Sequence, residues 1–323
     1  MKPTERSTLE SLFKLSQKSL LKVLNDFLNK KYKKVIKTKD FIFAEGEIPV
    51  MLVAHCDTIF TELPTQIYYD ESKNVMWSPQ GLGADDRAGV YSIIKIIRSG
   101  LRPHILFTTN EELGGLGASA FVRKYPEPIV EGIKYIIELD RRGTNDCVFY
   151  ECDNPDFTTY VESFGFCENW GTFSDISIIC PKWKIAGVNL STGYENEHSQ
   201  LEMLHISPML QTINKVIKML NEAKNASKFE YIESVYAKYA WADYYNHYDP
   251  NAKHSCCHCN TIGKECDMFP VKKKDGKSGM ICDKCISHFN WCQRCGEAFE
   301  TFPQSFTNGI LCMDCEEELM GVM

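Results

Sequence analysis

No apolar run in this 323-residue chain approaches the roughly 18 to 20 residues that a membrane-spanning helix needs. The opening stretch MKPTERSTLESL is polar and charged and lacks the apolar centre of a secretory signal, so the expectation is a soluble cytoplasmic protein. Basic residues are in deficit. The chain has 36 Lys and Arg against 43 Asp and Glu, a net charge of −7, which argues against a protein whose main task is to neutralise nucleic-acid phosphates or an anionic membrane surface. No internal repeat is visible before residue 253. Cysteine is also unevenly supplied: of 15 in the chain, 10 follow Lys253.

What the chain does have is a set of apolar runs that end in polar, chemistry-bearing residues. VMLVAHCD, ILFTTNEE and YIIELD each read as a buried strand, because a strand covered on both faces is apolar without alternation. Ligands of open α/β sheets gather at the carboxyl ends of such strands. His55, Asp57, Glu111, Glu112 and Asp140 are therefore expected to converge on one crevice. The glycine-punctuated loop GLGADDRAG adds Asp85 and Asp86, and ENEHSQLEML adds His198. Adjacent acids such as Glu111 and Glu112 raise each other's pKa unless cations compensate them, so the set reads as a metal centre rich in carboxylate.

Around these motifs the pattern alternates. Apolar residues at helical spacing predict a helix over Thr8–Lys31. Strands follow near Lys34–Ile36, Phe41–Ala44 and Val50–Ala54. The segment DESKN joins Ile67–Tyr69 to Val75–Trp77 as a hairpin. A helix then starts beside Asp85 and stops at Gly100. A strand near His104–Thr108, a helix near Ala118–Lys124, a strand near Tyr135–Leu139 and a helix from Ser207 to about Ala223 complete the first domain. Alternation of this kind predicts an α/β three-layer sandwich with a mostly parallel mixed sheet. The expected organisation is a catalytic domain over 1–225, an aromatic-rich connecting segment over 226–253 and a small cysteine-rich domain over 254–323.

Taken in order, HCD, GADDRAG, NEELGG, ELD and ENEHS resemble the motifs of the zinc-dependent exopeptidase superfamily, over about Val50–Leu204. The resemblance implies two zinc ions, with Asp85 shared between them. His55 and Asp140 would complete one ion, and Glu112 and His198 the other. It further implies Glu111 as general base and Asp57 as the carboxylate that orients His55. Only 57 residues separate Asp140 from His198, too few for the lid domain that some relatives insert there. The compact Vibrio-type leucine aminopeptidase is thus the nearer pattern, with the segment Trp170–Asp175 placed at the pocket wall. Where many relatives carry glycines after the last strand acid, this chain has Arg141 and Arg142. These are read as surface partners of Glu131, Glu138 or Asp146 in preference to a grip on a substrate carboxylate. Cys56, between two site residues, reads as a small buried hydrophobe.

The C-terminal cysteines form four CxxC pairs: Cys256/Cys259, Cys282/Cys285, Cys292/Cys295 and Cys312/Cys315. Two such knuckles close one tetrahedral thiolate site, and intervening loops of 22 and 16 residues suit two tandem zinc-ribbon or LIM-like units. Cys257, Cys266, His254, His258 and His288 are alternative ligands. Bound zinc would replace the core that about 35 residues cannot bury. The basic tip at Lys272–Lys274 is offset by Glu316–Glu318, so a protein partner fits this domain better than a nucleic acid does. The combined expectation is a metallopeptidase or amidohydrolase with two catalytic and up to two structural zinc ions, acting on a peptide. Two alternatives stand beside it: a deacylase of N-acyl amino acids, and a scaffold that binds zinc without turnover.

Overall fold

The structure, a computed structural model, describes residues 2–234 together with 253–264, 268–273, 278–282, 284–292, 298–300 and 309–313. The chain divides into two compact units, Met1–Val235 and Tyr236–Met323.

In chain order the first unit runs α1 (Pro3–Phe13), α2 (Gln17–Asn29), β1 (Val35–Lys37), β2 (Phe41–Ala44), β3 (Ile48–His55), β4 (Tyr68–Asp70), β5 (Val75–Trp77), α3 (Ala84–Arg98), β6 (Pro103–Thr108), α4 (Leu116–Lys124) and β7 (Tyr135–Arg141). It continues through β8 (Asp146–Val148), α5 (Pro155–Glu162), β9 (Cys167–Glu168), α6 (Asp175–Trp183), β10 (Gly187–Ser191), β11 (Tyr194–Glu195), β12 (Met203–His205) and α7 (Ile206–Glu222). The helix predicted over Thr8–Lys31 is two helices. Ser16 takes an extended backbone and its side chain accepts the Ser19 N–H, so it opens a new helix as N-cap serines do.

Eight strands form one sheet in the order β1-β2-β6-β3-β7-β10-β8-β9. The central pairs β6–β3, β3–β7 and β7–β10 are parallel, and antiparallel pairs flank them on both sides. Side chains alternate between the two faces of a strand, and both faces are covered. Val50, Leu52 and Ala54 of β3 join the cluster built with α1, α2, α3 and α7. Met51 and Val53 join the cluster built with α4 and α6. The three-layer sandwich follows from this double burial, and so does the unbroken apolar character of β3 and β6.

Two features position the site. First, β6, β3 and β7 are neighbours with aligned carboxyl ends: His55 pairs with Thr108, and Val53 with Glu138. Second, a small sheet of order β11-β12-β5-β4 carries the loop between β11 and β12, in which His198 lies. Its hairpin β4–β5 is the one predicted around DESKN, and β5 pairs with β12 through Trp77 and Met203.

Helix α3 reaches the sheet because Gly89 has no side chain. A Cβ there would fall inside the envelope of the Leu139 carbonyl oxygen and 2.5 Å from a carboxylate oxygen of Asp86. Both neighbours are buried, and one is backbone, so neither can give way. Gly89→Ala is expected to destabilise the first unit by about 1 to 3 kcal/mol, the range of overpacked cores, as a lowered midpoint in urea. An unchanged midpoint would contradict this packing.

Beyond α7 the chain stays on the first unit. The Ala186 N–H donates to the Phe229 carbonyl, and isolated bridges join Ile185 to Glu230 and Cys152 to Glu233. No helix among the described residues is long and apolar enough to cross a membrane. The second unit, taken by itself, contains the hairpin β13 (Lys253–Ser255) and β14 (Ile262–Lys264). It also has a sheet of β15 (Met268–Lys272), β16 (Ser278–Cys282), β17 (Asn290–Trp291) and β18 (Ala298–Phe299), in the order β16-β15-β18-β17.

Candidate metal centre

His55 ends β3 with its ring fully buried. Its Nδ1 lies 3.2 Å from Asp57 Oδ1, and its Nε2 lies 2.9 Å from Asp85 Oδ1 and 3.4 Å from Asp140 Oδ1. The other oxygen of Asp85, Oδ2, lies 3.3 Å from His198 Nε2, which is also 3.0 Å from Glu112 Oε2. Asp85 therefore stands between two imidazoles, one oxygen toward each. The sequence could not separate Asp85 from Asp86 without the resemblance, but the geometry does. Asp86 turns inward, accepting the His55 N–H at 3.2 Å and the Gly89 N–H at 2.8 Å.

The strand ends are held by Asp57 and by several groups that sequence reasoning did not place at the site. Asp57, besides facing His55, accepts the backbone N–H groups of Glu111 and Glu112, both at 3.1 Å, and so sets the loop after β6. Buried Arg87 donates to the carbonyls of Cys56 and Asp57. Asn189 accepts the Asp140 N–H at 2.9 Å and donates to the Asp140 carbonyl at 2.8 Å. The Tyr194 hydroxyl donates to Asp140 Oδ1 at 3.1 Å. Glu138, fully buried, takes the Ser174 hydroxyl and the Ile176 N–H. Glu202, also fully buried, accepts three amides at the start of α3, those of Gly83, Ala84 and Asp85. An acid inside the run LEML is the one hint of Glu202 in the sequence, and Cys56 is the buried small side chain expected.

Burial and crowding hold two of these acids against ionisation. Burial, then Asp85, pushes Asp140 up to about 7. Burial pushes Glu111 up to about 9, with Asp140, Asp175 and Asp85 adding to it against the opposing pull of His55. Hydrogen bonds to Asp85 and Glu112 raise His198 to about 11. For His55, burial disfavours the charged ring, but Asp140, Asp57 and Asp85 outweigh it and raise the pKa well above that of a free imidazole.

Residues 42–161 match the sequence profile of peptidase family M28. The matched stretch contains His55, Asp57, Asp85, Glu111, Glu112 and Asp140 and ends before His198. The first unit is a metallopeptidase domain. No curated protein sequence matches the chain. Among solved structures, the aminopeptidase PepT from Bacillus cereus is 14% identical, with a TM-score of 0.55 over 68% of this chain and 98% of that one. A tripeptidase from Staphylococcus aureus is 13% identical, with a TM-score of 0.56 over 69% and 98%. A TET aminopeptidase from a marine sediment thaumarchaeon is 12% identical, with a TM-score of 0.50 over 69% and 99%. At such identities the likeness is one of fold.

The family implies a divalent metal, and the residues of the metallopeptidase domain fit one. Ligand atoms of a tetrahedral zinc with bonds of about 2.0 to 2.1 Å stand about 3.3 Å apart. The contacts of His55 and His198 with the acids span 2.9 to 3.4 Å. The donors are imidazole and carboxylate, and like charges in this number need cations beside them. At the rim of the domain, Arg141 donates to the Trp170 carbonyl at 3.0 Å, with Asp146 4.0 Å away. Arg142 pairs with Glu197 at 2.8 Å, not with any of the acids the sequence suggested. Trp170 and Phe173 are both exposed.

In the second unit, the Sγ atoms of Cys256, Cys259, Cys282 and Cys285 all lie within 4.8 Å of one another. Cys259 Sγ and Cys282 Sγ are 3.7 Å apart, close to the edge of about 3.8 Å expected for a zinc tetrathiolate. Burial opposes the Cys256 thiolate, but backbone amides of Cys259, Cys282 and His258 outweigh it and bring the thiol down to about 6. The quartet needs no histidine, although His258 and His288 stack at 4.9 Å. Cys292 and Cys312 are buried with Phe299 in a separate small cluster. Cys295, Cys315 and Cys266 lie outside the described residues, as does most of the connecting segment 226–253.

Proposed function

We propose that the chain is a two-zinc exopeptidase that hydrolyses the amide bond beside a free amino terminus. The observation that carries this is the placement of Asp85, with Oδ1 2.9 Å from His55 Nε2 and Oδ2 3.3 Å from His198 Nε2. His55, Asp85 and Asp140 would hold one ion, and Asp85, Glu112 and His198 the other. Bound zinc supplies a water that ionises near neutral pH and polarises the scissile carbonyl. Asp57, on Nδ1 of His55, fixes which ring nitrogen faces the site and holds the Glu111 amide in place. Glu111, near His55 but outside both ligand sets, takes the proton of the attacking water. It then returns that proton to the leaving amine.

Cys256, Cys259, Cys282 and Cys285 would hold a structural zinc. Cys292, Cys295, Cys312 and Cys315 would hold a second, leaving that domain free to dock a protein partner or present substrate. Cysteines kept as thiols suit the reducing cytoplasm.

The test is metal content together with release of amines from a panel of dipeptides, tripeptides and N-acyl amino acids. About four zinc ions per chain, with release from free-amino peptides, is the expected result. Turnover of N-acyl amino acids alone would replace the exopeptidase reading with a deacylase. Zinc confined to the cysteine sites, with no turnover, would overturn it.

A further inference from the structure

We propose that Glu202 is a positioning residue that locks the shared carboxylate and the second histidine of the site into one geometry. The inference rests on the two-metal reading above. Helix α3 is preceded by Gly83 at its cap position, whose backbone is left-handed (φ 70°, ψ 37°) and which has no side chain with which to cap the helix. Asp85 and Asp86, in the first turn, are not helical either (φ −80°, ψ 104° and φ −119°, ψ 46°). The amides of this turn therefore have no intrahelical partner. Buried amides left unmade are costly, and here their acceptor comes from far along the chain. Glu202 Oε2 accepts the N–H groups of Gly83 and Ala84, and its Oε1 accepts that of Asp85 at 3.1 Å.

The third of these bonds matters most. The amide it fixes belongs to the residue whose two carboxylate oxygens face His55 and His198. With its backbone held, Asp85 has only its own short side chain left to move. Glu202 is also four residues beyond His198, in the same loop between β11 and β12, and β12 begins at Met203. One buried carboxylate thus ties the Asp85 loop to the His198 loop. His198 itself sits at a positive φ of 60° and is half exposed, and Asp85 and Glu112 are the groups that face its ring. Loss of a group that orients metal ligands typically weakens metal affinity ten- to a hundredfold.

The experiment is a cobalt(II) titration of the full-length protein, first stripped with chelator, in wild type and in Glu202→Gln. Cobalt on cysteine is recognised by its sulfur-to-metal charge-transfer bands, and cobalt on carboxylate and imidazole by d–d absorption without them. Glu202→Gln is expected to weaken uptake at the carboxylate and imidazole positions about ten- to a hundredfold and to change their d–d bands. The thiolate bands should stay as in wild type, while the buried amide left without an acceptor lowers the melting temperature of the metal-free protein. Should Glu202→Gln fail to fold, Glu202→Asp, which withdraws the carboxylate by one methylene, is read in the same way. Wild-type affinity and an unchanged d–d spectrum in the folded variant would overturn the role of Glu202 and leave the two-metal reading standing. Absence of non-thiolate cobalt in the wild type itself would remove both.

Discussion

Glu111→Gln is expected to abolish most amide hydrolysis while leaving metal content intact. Glutamine keeps the shape and the hydrogen-bonding reach of the side chain, but it cannot take up a proton at neutral pH. Removing a positioned general base costs about 10²- to 10⁴-fold in rate, and the loss should fall on kcat with KM little changed, because the proton moves only in the transition state. Metal content should hold because Glu111 is outside both proposed ligand sets, whereas Asp85 belongs to both. Steady-state kinetics on a cleavable dipeptide, paired with metal analysis of the same preparation, checks both halves. Undiminished turnover would remove Glu111 as the base, and loss of metal would make it a ligand.

Metal removal should make the stability of the first unit depend steeply on pH. In the folded, metal-free protein, burial and neighbouring acids raise Glu111 from an ordinary 4.5 to about 9. Asp140 rises from 3.8 to about 7, and hydrogen bonds with Asp85 and Glu112 raise His198 from 6.5 to about 11. Across these intervals the folded state holds protons that the unfolded chain has released. Stability therefore falls as pH rises, from about pH 4.5 to about pH 9 for Glu111. Asp85 is shifted the opposite way, because His198 and His55 outweigh its burial, but its window lies below its ordinary 3.8 and does not offset the others. Bound zinc would take the place of those protons, so metal binding should release protons and flatten the dependence. Hydrogen exchange at the amides of β3 and β6, with chelator and with zinc at pH 5, 7 and 9, measures this. Stability that rises toward pH 9 in chelator would contradict the acid clustering described here.

Much of this architecture was legible in the sequence for a simple reason: strands buried on both faces must be apolar throughout, so a polar residue at the end of such a run marks a crevice. His55, Glu111, Glu112 and Asp140 stand at or just beyond the ends of such runs, and glycines surround the Asp85 turn. The break between α1 and α2 was not found, because Leu9, Leu12, Leu20 and Leu24 keep an apolar stripe on both sides of Ser16, and a capping serine looks like any other. The partner of Arg142 was also misjudged, because ion pairing depends on which loops meet, and Glu197 lies 55 positions away.

Local pattern was enough for the alternation of strand and helix, the residue types at the strand ends and the CxxC spacing of the cysteines. All of these depend on local spacing. The tertiary structure decided which acid of the pair stands between the histidines, since Asp86 is taken up by the amides of His55 and Gly89. It also decided what holds the site in place. Asn189 on Asp140 and Glu202 on the Asp85 loop bridge 49 and 117 positions, and no local pattern records such distances, because the amides they satisfy become partnerless only once the chain has folded.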